Sequence, residues 1–221
     1  MREIAKYIDH TCLGPYLTKK DIQKICKEAN QYNFASVCIN PIHVSSAAKY
    51  LKDSISKVST VIAFPLGAIS TEIKYAEAMD AIDQGAEELD MVINIGYLKE
   101  GKNNQLADEI TKIVKASEDI CLKVIIETCL LNIEEKIRIS KIVKESGADY
   151  IKTSTGFSAK GADAKDVKII RKTVGDSIGI KASGGIKSLS DLNKMLNAGA
   201  NRIGTSSGVG ILNERKNTNK T

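Results

Sequence analysis

Apolar, β-branched runs alternate along the chain with stretches whose apolar residues fall at helical spacing. Strands are predicted near residues 7–9, 35–39, 58–63, 88–93, 122–127, 150–153, 178–182 and 202–205. Between them the period changes. Ile22, Ile25, Cys26 and Ala29 recur at i, i+3, i+4 and i+7, as do Val44, Ala47, Ala48 and Leu51. Leu106, Ile110, Ile113 and Val114 form a third stripe, and Leu189, Leu192 and Leu196 a fourth. Three helix starts carry a capping-box pattern: Thr18 with Asp21, Asn132 with Glu135, and Ser188 with Asp191. Eight strands alternating with helices require parallel pairing and right-handed crossovers. A closed barrel and an open doubly wound sheet both satisfy that requirement. No GxGxxG follows the first strand, which disfavours a dinucleotide-binding sheet.

A short internal repeat sharpens the choice. Gly85-Ala86-Glu87-Glu88-Leu89-Asp90, Gly147-Ala148-Asp149-Tyr150-Ile151-Lys152 and Gly199-Ala200-Asn201-Arg202-Ile203-Gly204 share one plan. A glycine ends a helix and a strand begins two or three residues later. The sixth residue then falls at or near the strand's carboxyl end, which in a (β/α)₈ TIM barrel is the active face. The expected architecture is a single-domain α/β barrel over residues 1–212, followed by a polar, frayed tail over 213–221.

Composition narrows the partners. The 221 residues include 32 basic and 27 acidic side chains, a formal +5 spread along the chain. That reads as a solvated lysine-rich surface rather than a nucleic-acid patch, and it suits a phosphorylated small molecule. Five cysteines, an odd number without a CxxC pair, imply free thiols in a reducing, cytoplasmic compartment. The opening MREIAKYIDH lacks the apolar core of a signal peptide. No apolar run approaches the roughly 18 residues of a membrane span.

The chemistry is concentrated at strand ends. Lys152 lies between Ile151 and Thr153, where burial and a nearby cation would lower its proton affinity and free an amine for attack on a carbonyl. A structural ion-pair lysine fits the position equally well. Lys181, at the end of the next strand, shifts that balance, because neighbouring strands lie about 4.8 Å apart and two ammonium ions at that range repel. Two rim lysines without a partner are hard to explain as packing. Asp90, read as ending the fourth strand, is either a salt bridge to a lysine or a proton relay with Lys181. The relay is the preferred reading.

Gly156, Gly184, Gly185, Ser206 and Ser207 follow the last three strands, where barrels often hold phosphate on backbone N–H groups. Asp9, Cys38 and Thr155 are further candidates for the substrate pocket, although Cys38 reads first as a small buried hydrophobe. The two histidines, His10 and His43, lack metal-site spacing, so no metal or other cofactor is expected. Glu127 is a rim carboxylate whose functional and structural readings the sequence does not separate.

Taken together these residues resemble deoxyribose-phosphate aldolases over nearly the whole chain, from Tyr7-Ile8-Asp9-His10-Thr11 to Arg202-Ile203-Gly204-Thr205-Ser206-Ser207-Gly208. The most specific segments are Phe64-Pro65-Leu66-Gly67-Ala68, Glu88-Leu89-Asp90-Met91-Val92-Ile93-Asn94, Lys152-Thr153-Ser154-Thr155-Gly156-Phe157 and Lys181-Ala182-Ser183-Gly184-Gly185-Ile186. The resemblance implies a class I aldolase that reversibly cleaves 2-deoxy-D-ribose 5-phosphate to acetaldehyde and D-glyceraldehyde 3-phosphate. It casts Lys152 as the Schiff-base lysine, Asp90 and Lys181 as the proton-transfer pair, and the five glycines and serines as phosphate-side residues. The expected partners are the phosphorylated sugar and acetaldehyde, with self-association into a homo-oligomer and no nucleic acid or membrane.

Two departures stand out. Cys12-Leu13-Gly14 replaces the usual leucine-lysine after the first strand, and the chain ends Asn219-Lys220-Thr221 without the terminal tyrosine that many such aldolases carry. The competing readings are a Schiff-base aldolase of a different phosphorylated sugar and a phosphosugar-binding regulatory barrel.

Overall fold

In the computed structural model, which describes residues 4–117 and 119–218, every strand runs parallel to both neighbours. Pairing follows sequence order from β1 (Ile8–Cys12) through β2 (Ser36–Ile39), β3 (Lys57–Ile62), β4 (Glu88–Val92), β5 (Cys121–Ile125), β6 (Tyr150–Lys152), β7 (Gly179–Ser183) and β8 (Arg202–Thr205), and β8 returns to β1. The closed barrel excludes the open sheet. Helices fill the crossovers: α1 (Lys19–Tyr32), α2 (Val44–Tyr50), α3 (Thr71–Asp83), α4 (Ile95–Lys99), α5 (Asn103–Ala116), α6 (Ile133–Glu145), α7 (Ala164–Val174), α8 (Leu189–Asn197) and α9 (Gly208–Thr218).

Period-two alternation decides where the core sits. Val37, Ile39, Val58, Ile62, Leu89, Met91, Leu122, Val124, Ile151, Ile180 and Ile203 belong to one apolar cluster with the buried faces of the helices. From α1 that cluster takes Ile22, Ile25, Cys26 and Ala29, and from α5 Leu106, Ile110 and Ile113. The main hydrophobic core is therefore the layer between barrel and helices. Asp9, Ser59, Glu88, Asp90, Lys123, Lys152 and Lys181 occupy the alternate strand positions and are buried too, so the barrel interior is largely polar. All three capping boxes form as the sequence predicts, at Thr18, Asn132 and Ser188.

Several strand ends differ from expectation; β5 stops at Ile125 rather than Glu127 and β6 at Lys152 rather than Thr153. β1 starts at Ile8 and continues to Cys12 rather than ending at Asp9-His10, because its ladder with β2 extends from Asp9↔Ser36 to Cys12↔Ile39. β4 continues beyond Asp90, pairing Met91 with Val124 and Val92 with Ile125. β7 continues beyond Lys181 to Ser183, which pairs with Gly204. Asp90 and Lys181 thus lie inside the barrel, below the rim. At the other end of the chain, the segment read as a tail from residue 213 begins inside α9, which extends to Thr218; residues 219–221 lie outside the described residues. The helix continues because Ile211, in its apolar first half, is fully buried against the core and anchors it.

Candidate active site

Strand register brings the chemistry together. Lys152 lies opposite Lys181 in the β6–β7 ladder, and Asp90 lies opposite Lys123 in the β4–β5 ladder. Asp90 reaches across the barrel so that its Oδ2 accepts from Lys152 Nζ at 2.8 Å and from Lys181 Nζ at 2.6 Å. The two lysines are therefore not unpartnered, as the sequence suggested; one carboxylate oxygen serves both. Gly204 makes room for this, since a Cβ there would come within 3.1 Å of Lys181 Cε and 2.9 Å of Ser183 Cβ.

The pairing continues into a closed ring. Lys181 also meets Asp9 Oδ2 at 2.5 Å, and Asp9 Oδ1 meets Arg202 Nε at 2.7 Å. Arg202 pairs with Glu88, Glu88 Oε2 with Lys123 Nζ at 2.8 Å, and Lys123 Nζ with Asp90 Oδ1 at 3.0 Å. Three carboxylates alternate with three cations, and the ring is neutral. Lys152 is the cation in excess of that balance. Without it, each ring carboxylate still has two cationic partners.

The ring fixes the charge of its members. Burial alone would raise the Asp90 carboxyl, but Lys123, Lys152 and Lys181 outweigh it and hold Asp90 well below the usual carboxylate range. Burial alone would strip the Lys181 proton, but Asp9 and Asp90 outweigh it and hold the ammonium above the usual lysine range. Lys181 is thus a standing cation rather than the member of the lysine pair driven to neutrality.

Above the ring opens a cavity of about 300 Å³ at the carboxyl ends of the strands. Lys152, Thr155, Gly156, Gly184, Gly185 and Ser206 all line it. Ser207 does not; it precedes α9, and its N–H is taken by Thr205 Oγ1 at 2.9 Å. Asp9 and Cys38 are not in the lining either. Asp9 is a ring member, and Cys38 packs with Leu13 and Val61 inside the barrel, its thiol 3.9 Å from Asp90 Oδ2 and pushed up by burial. The hydrophobe reading of Cys38 is the one the packing supports. His10 faces out of the barrel, with Nε2 2.8 Å from Glu28 Oε2, and His43 closes the short 3₁₀ helix Pro41–His43.

The chain matches the DeoC/LacD family aldolase profile over residues 3–217. It belongs to that family of aldolases. It is 53% identical over 219 residues to a deoxyribose-phosphate aldolase of Caldanaerobacter subterraneus subsp. tengcongensis, covering 98% of this chain and 95% of that one. A deoxyribose-phosphate aldolase of Staphylococcus saprophyticus is 54% identical over 208 residues, covering 94% of each chain. Among solved structures, the deoxyribose phosphate aldolase of Aeropyrum pernix, described as tetrameric, superposes with a TM-score of 0.91 at 33% identity, covering 96% of this chain and 91% of that one.

For this DeoC/LacD aldolase, sequence reasoning did not single out Lys123, Glu88, Arg202 or Gly161. The first two carried a readable signal. Lys123 in Leu122-Lys123-Val124 is patterned like Lys181 in Ile180-Lys181-Ala182, and Glu88 stands two residues before Asp90 on the same strand face. Gly161 shows its role only in three dimensions, because a Cβ there would lie 2.1 Å from the Gly184 carbonyl oxygen. That close approach seats the loop after β6 on the loop after β7, with Ala162 N–H donating to Gly184 O at 3.0 Å. Among the described residues, no group of three or more His, Cys, Asp or Glu side chains is placed to hold a metal ion.

Proposed function

We propose that this chain is a class I aldolase that reversibly cleaves 2-deoxy-D-ribose 5-phosphate to acetaldehyde and D-glyceraldehyde 3-phosphate, with Lys152 as the Schiff-base lysine. The observation that carries the reading is the position of Lys152. Its amine is buried beside a cavity, hydrogen-bonded to a carboxylate that a second lysine, held charged by Asp9 and Asp90, shares. Family membership and relatives at 53% and 54% identity named for this reaction support the substrate.

The chemistry follows from the residue types. The Lys152 amine attacks the substrate aldehyde carbon, and loss of water gives a protonated imine. Asp90, ionised and linked to Lys181, is the group able to accept the proton of the C3 hydroxyl, directly or through a water. As that proton leaves, the C2–C3 bond breaks, its electron pair moves toward the imine, and glyceraldehyde 3-phosphate departs. The remaining enamine takes a proton at carbon, and hydrolysis returns the amine and acetaldehyde. The substrate phosphate belongs at the opposite wall, against the backbone N–H groups of Gly156, Gly184, Gly185 and Ser206. Asp90 and Lys181 supply charge and proton transfer beneath the reacting carbon.

The five cysteines, free among the described residues, suit a reducing, cytoplasmic compartment and make that placement part of the same proposal. No helix among the described residues is long and apolar enough to cross a membrane. Self-association into a homo-oligomer is also proposed, and sedimentation equilibrium measures it.

The test is a coupled assay of glyceraldehyde 3-phosphate release from deoxyribose 5-phosphate. The reverse reaction, run with acetaldehyde as donor, compares glyceraldehyde 3-phosphate with other phosphorylated aldehydes. Preference for glyceraldehyde 3-phosphate is expected. A clear preference for a different acceptor would assign the barrel to another sugar, and phosphosugar binding with no imine would make it a regulatory barrel.

A further inference from the structure

Glu127 follows β5 and is not used in the mechanism above, yet its surroundings are unusual. Its backbone has φ 50° and ψ 67°, a left-handed conformation that is unfavourable for a residue bearing a side chain. The residue is 2% exposed, and among the described residues its carboxylate has no lysine or arginine within ion-pair distance. A buried carboxylate without a cation is costly, so its hydrogen bonds must hold it. One oxygen, Oε2, accepts both from Thr155 N at 3.1 Å and from the Thr155 hydroxyl. Thr155 Oγ1 in turn accepts from Phe157 N at 3.1 Å. The carboxylate therefore holds the turn Thr155-Gly156-Phe157, and all three residues of that turn line the cavity above Lys152.

We propose that Glu127 is a positioning residue for substrate recognition, acting through Thr155 on the turn that meets the phosphorylated end of the substrate. This rests on the reading of the cavity as a phosphosugar site. Two consequences follow from the donor count. The Thr155 hydroxyl proton is committed to the carboxylate and one lone pair to Phe157 N–H, so Thr155 presents the ligand with an acceptor only, suited to a substrate hydroxyl. The Gly156 N–H, between the two fixed residues, has no acceptor among the described residues and is available to an anion. The left-handed backbone of Glu127 is what swings its side chain from the end of β5 across to the loop after β6.

The test separates recognition from chemistry. Glu127→Gly removes the carboxylate and suits the left-handed backbone, so the fold is retained. Glu127→Gln keeps a carbonyl oxygen able to accept both Thr155 bonds. For Glu127→Gly, KM for deoxyribose 5-phosphate is expected to rise about tenfold or more, while borohydride trapping of acetaldehyde stays within about threefold of wild type, because acetaldehyde has neither phosphate nor hydroxyl. Glu127→Gln is expected to restore KM to within about threefold of wild type. An unchanged KM in Glu127→Gly, or a trapping rate that falls as far as kcat/KM, would overturn the assignment. A second measurement does not depend on cleavage. Titration of inorganic phosphate followed by the Gly156 and Phe157 amide resonances should show weaker binding in Glu127→Gly than in wild type, and equal binding would also overturn it. Were wild type to bind phosphate at this turn but leave deoxyribose 5-phosphate uncut, the substrate reading alone would fall.

Discussion

Lys152 and Lys181 end on the same oxygen atom, Asp90 Oδ2, at 2.8 and 2.6 Å. Two ammonium groups so close repel each other, and a shared carboxylate offsets part of that repulsion. The lysines differ in their remaining partners. Lys181 is also bound to Asp9, which commits it to the charge-balanced ring, whereas Lys152 has Asp90 as its sole ion-pair partner among the described residues. That asymmetry holds Lys181 as a cation and leaves Lys152, the proposed nucleophile, outside the ring.

Replacing Lys181 by methionine tests the asymmetry. Lys152 would then be the one ammonium group left on Asp90 Oδ2, without a second positive charge beside it. Acetaldehyde trapping at neutral pH is expected to slow by about tenfold or more. A trapping rate equal to that of wild type would show that Lys181 has no part in activating Lys152.

The ring also sets a pH window. Asp90 is held below the usual carboxylate range, so its contribution to stability is complete above the unfolded value of about 3.9 and is lost only as pH falls from there through the lower folded value. Lys181 is held above the usual range and has the opposite sign; its contribution is complete below about 10.4 and is lost as pH rises through the folded value. The difference in unfolding free energy between wild type and Asp90→Asn should therefore be constant from about pH 5 to 9 and shrink below about pH 4. Urea unfolding across that range measures it. A difference that shrinks already between about pH 5 and 8 would mean that Asp90 titrates near neutrality.

Lys123 serves Glu88 and Asp90 at once, at 2.8 and 3.0 Å, and is fully buried. Lys123→Met should cost about 3–5 kcal/mol of stability, because it leaves carboxylates buried without their cation. Adding Glu88→Gln restores equal numbers of charges in the ring. The double variant should be more stable than the sum of the single changes predicts, by about 1–2 kcal/mol. Strict additivity in urea unfolding would show that the ring members do not depend on one another.

The barrel was legible in the sequence because its strands and four of its helices carry a readable period, and the repeated glycine-to-strand motif orders them. The site was legible where a charge interrupts an apolar strand, as at Asp90, Lys152 and Lys181. Depth was not legible. Asp90 and Lys181 read as rim residues because a charged side chain resembles a strand end, although the apolar runs continue past both and Met91-Val92 and Ala182-Ser183 extend those ladders. The ring was hidden for a related reason. Asp9, Lys181 and Arg202 come from β1, β7 and β8 and meet only because the barrel closes β8 onto β1 in a particular register, which no local spacing encodes. Glu127 shows the same limit, since its link to Thr155 spans 28 positions in sequence and depends on a backbone conformation that its residue type does not favour.

The central claim is that the Lys152 amine forms the imine. The most direct measurement is incubation with acetaldehyde, reduction with borohydride and peptide mapping by mass spectrometry. An ethyl group on the peptide containing Lys152, absent when borohydride is omitted, is the predicted result. Full modification of Lys181 or Lys123 with Lys152 untouched would contradict the account.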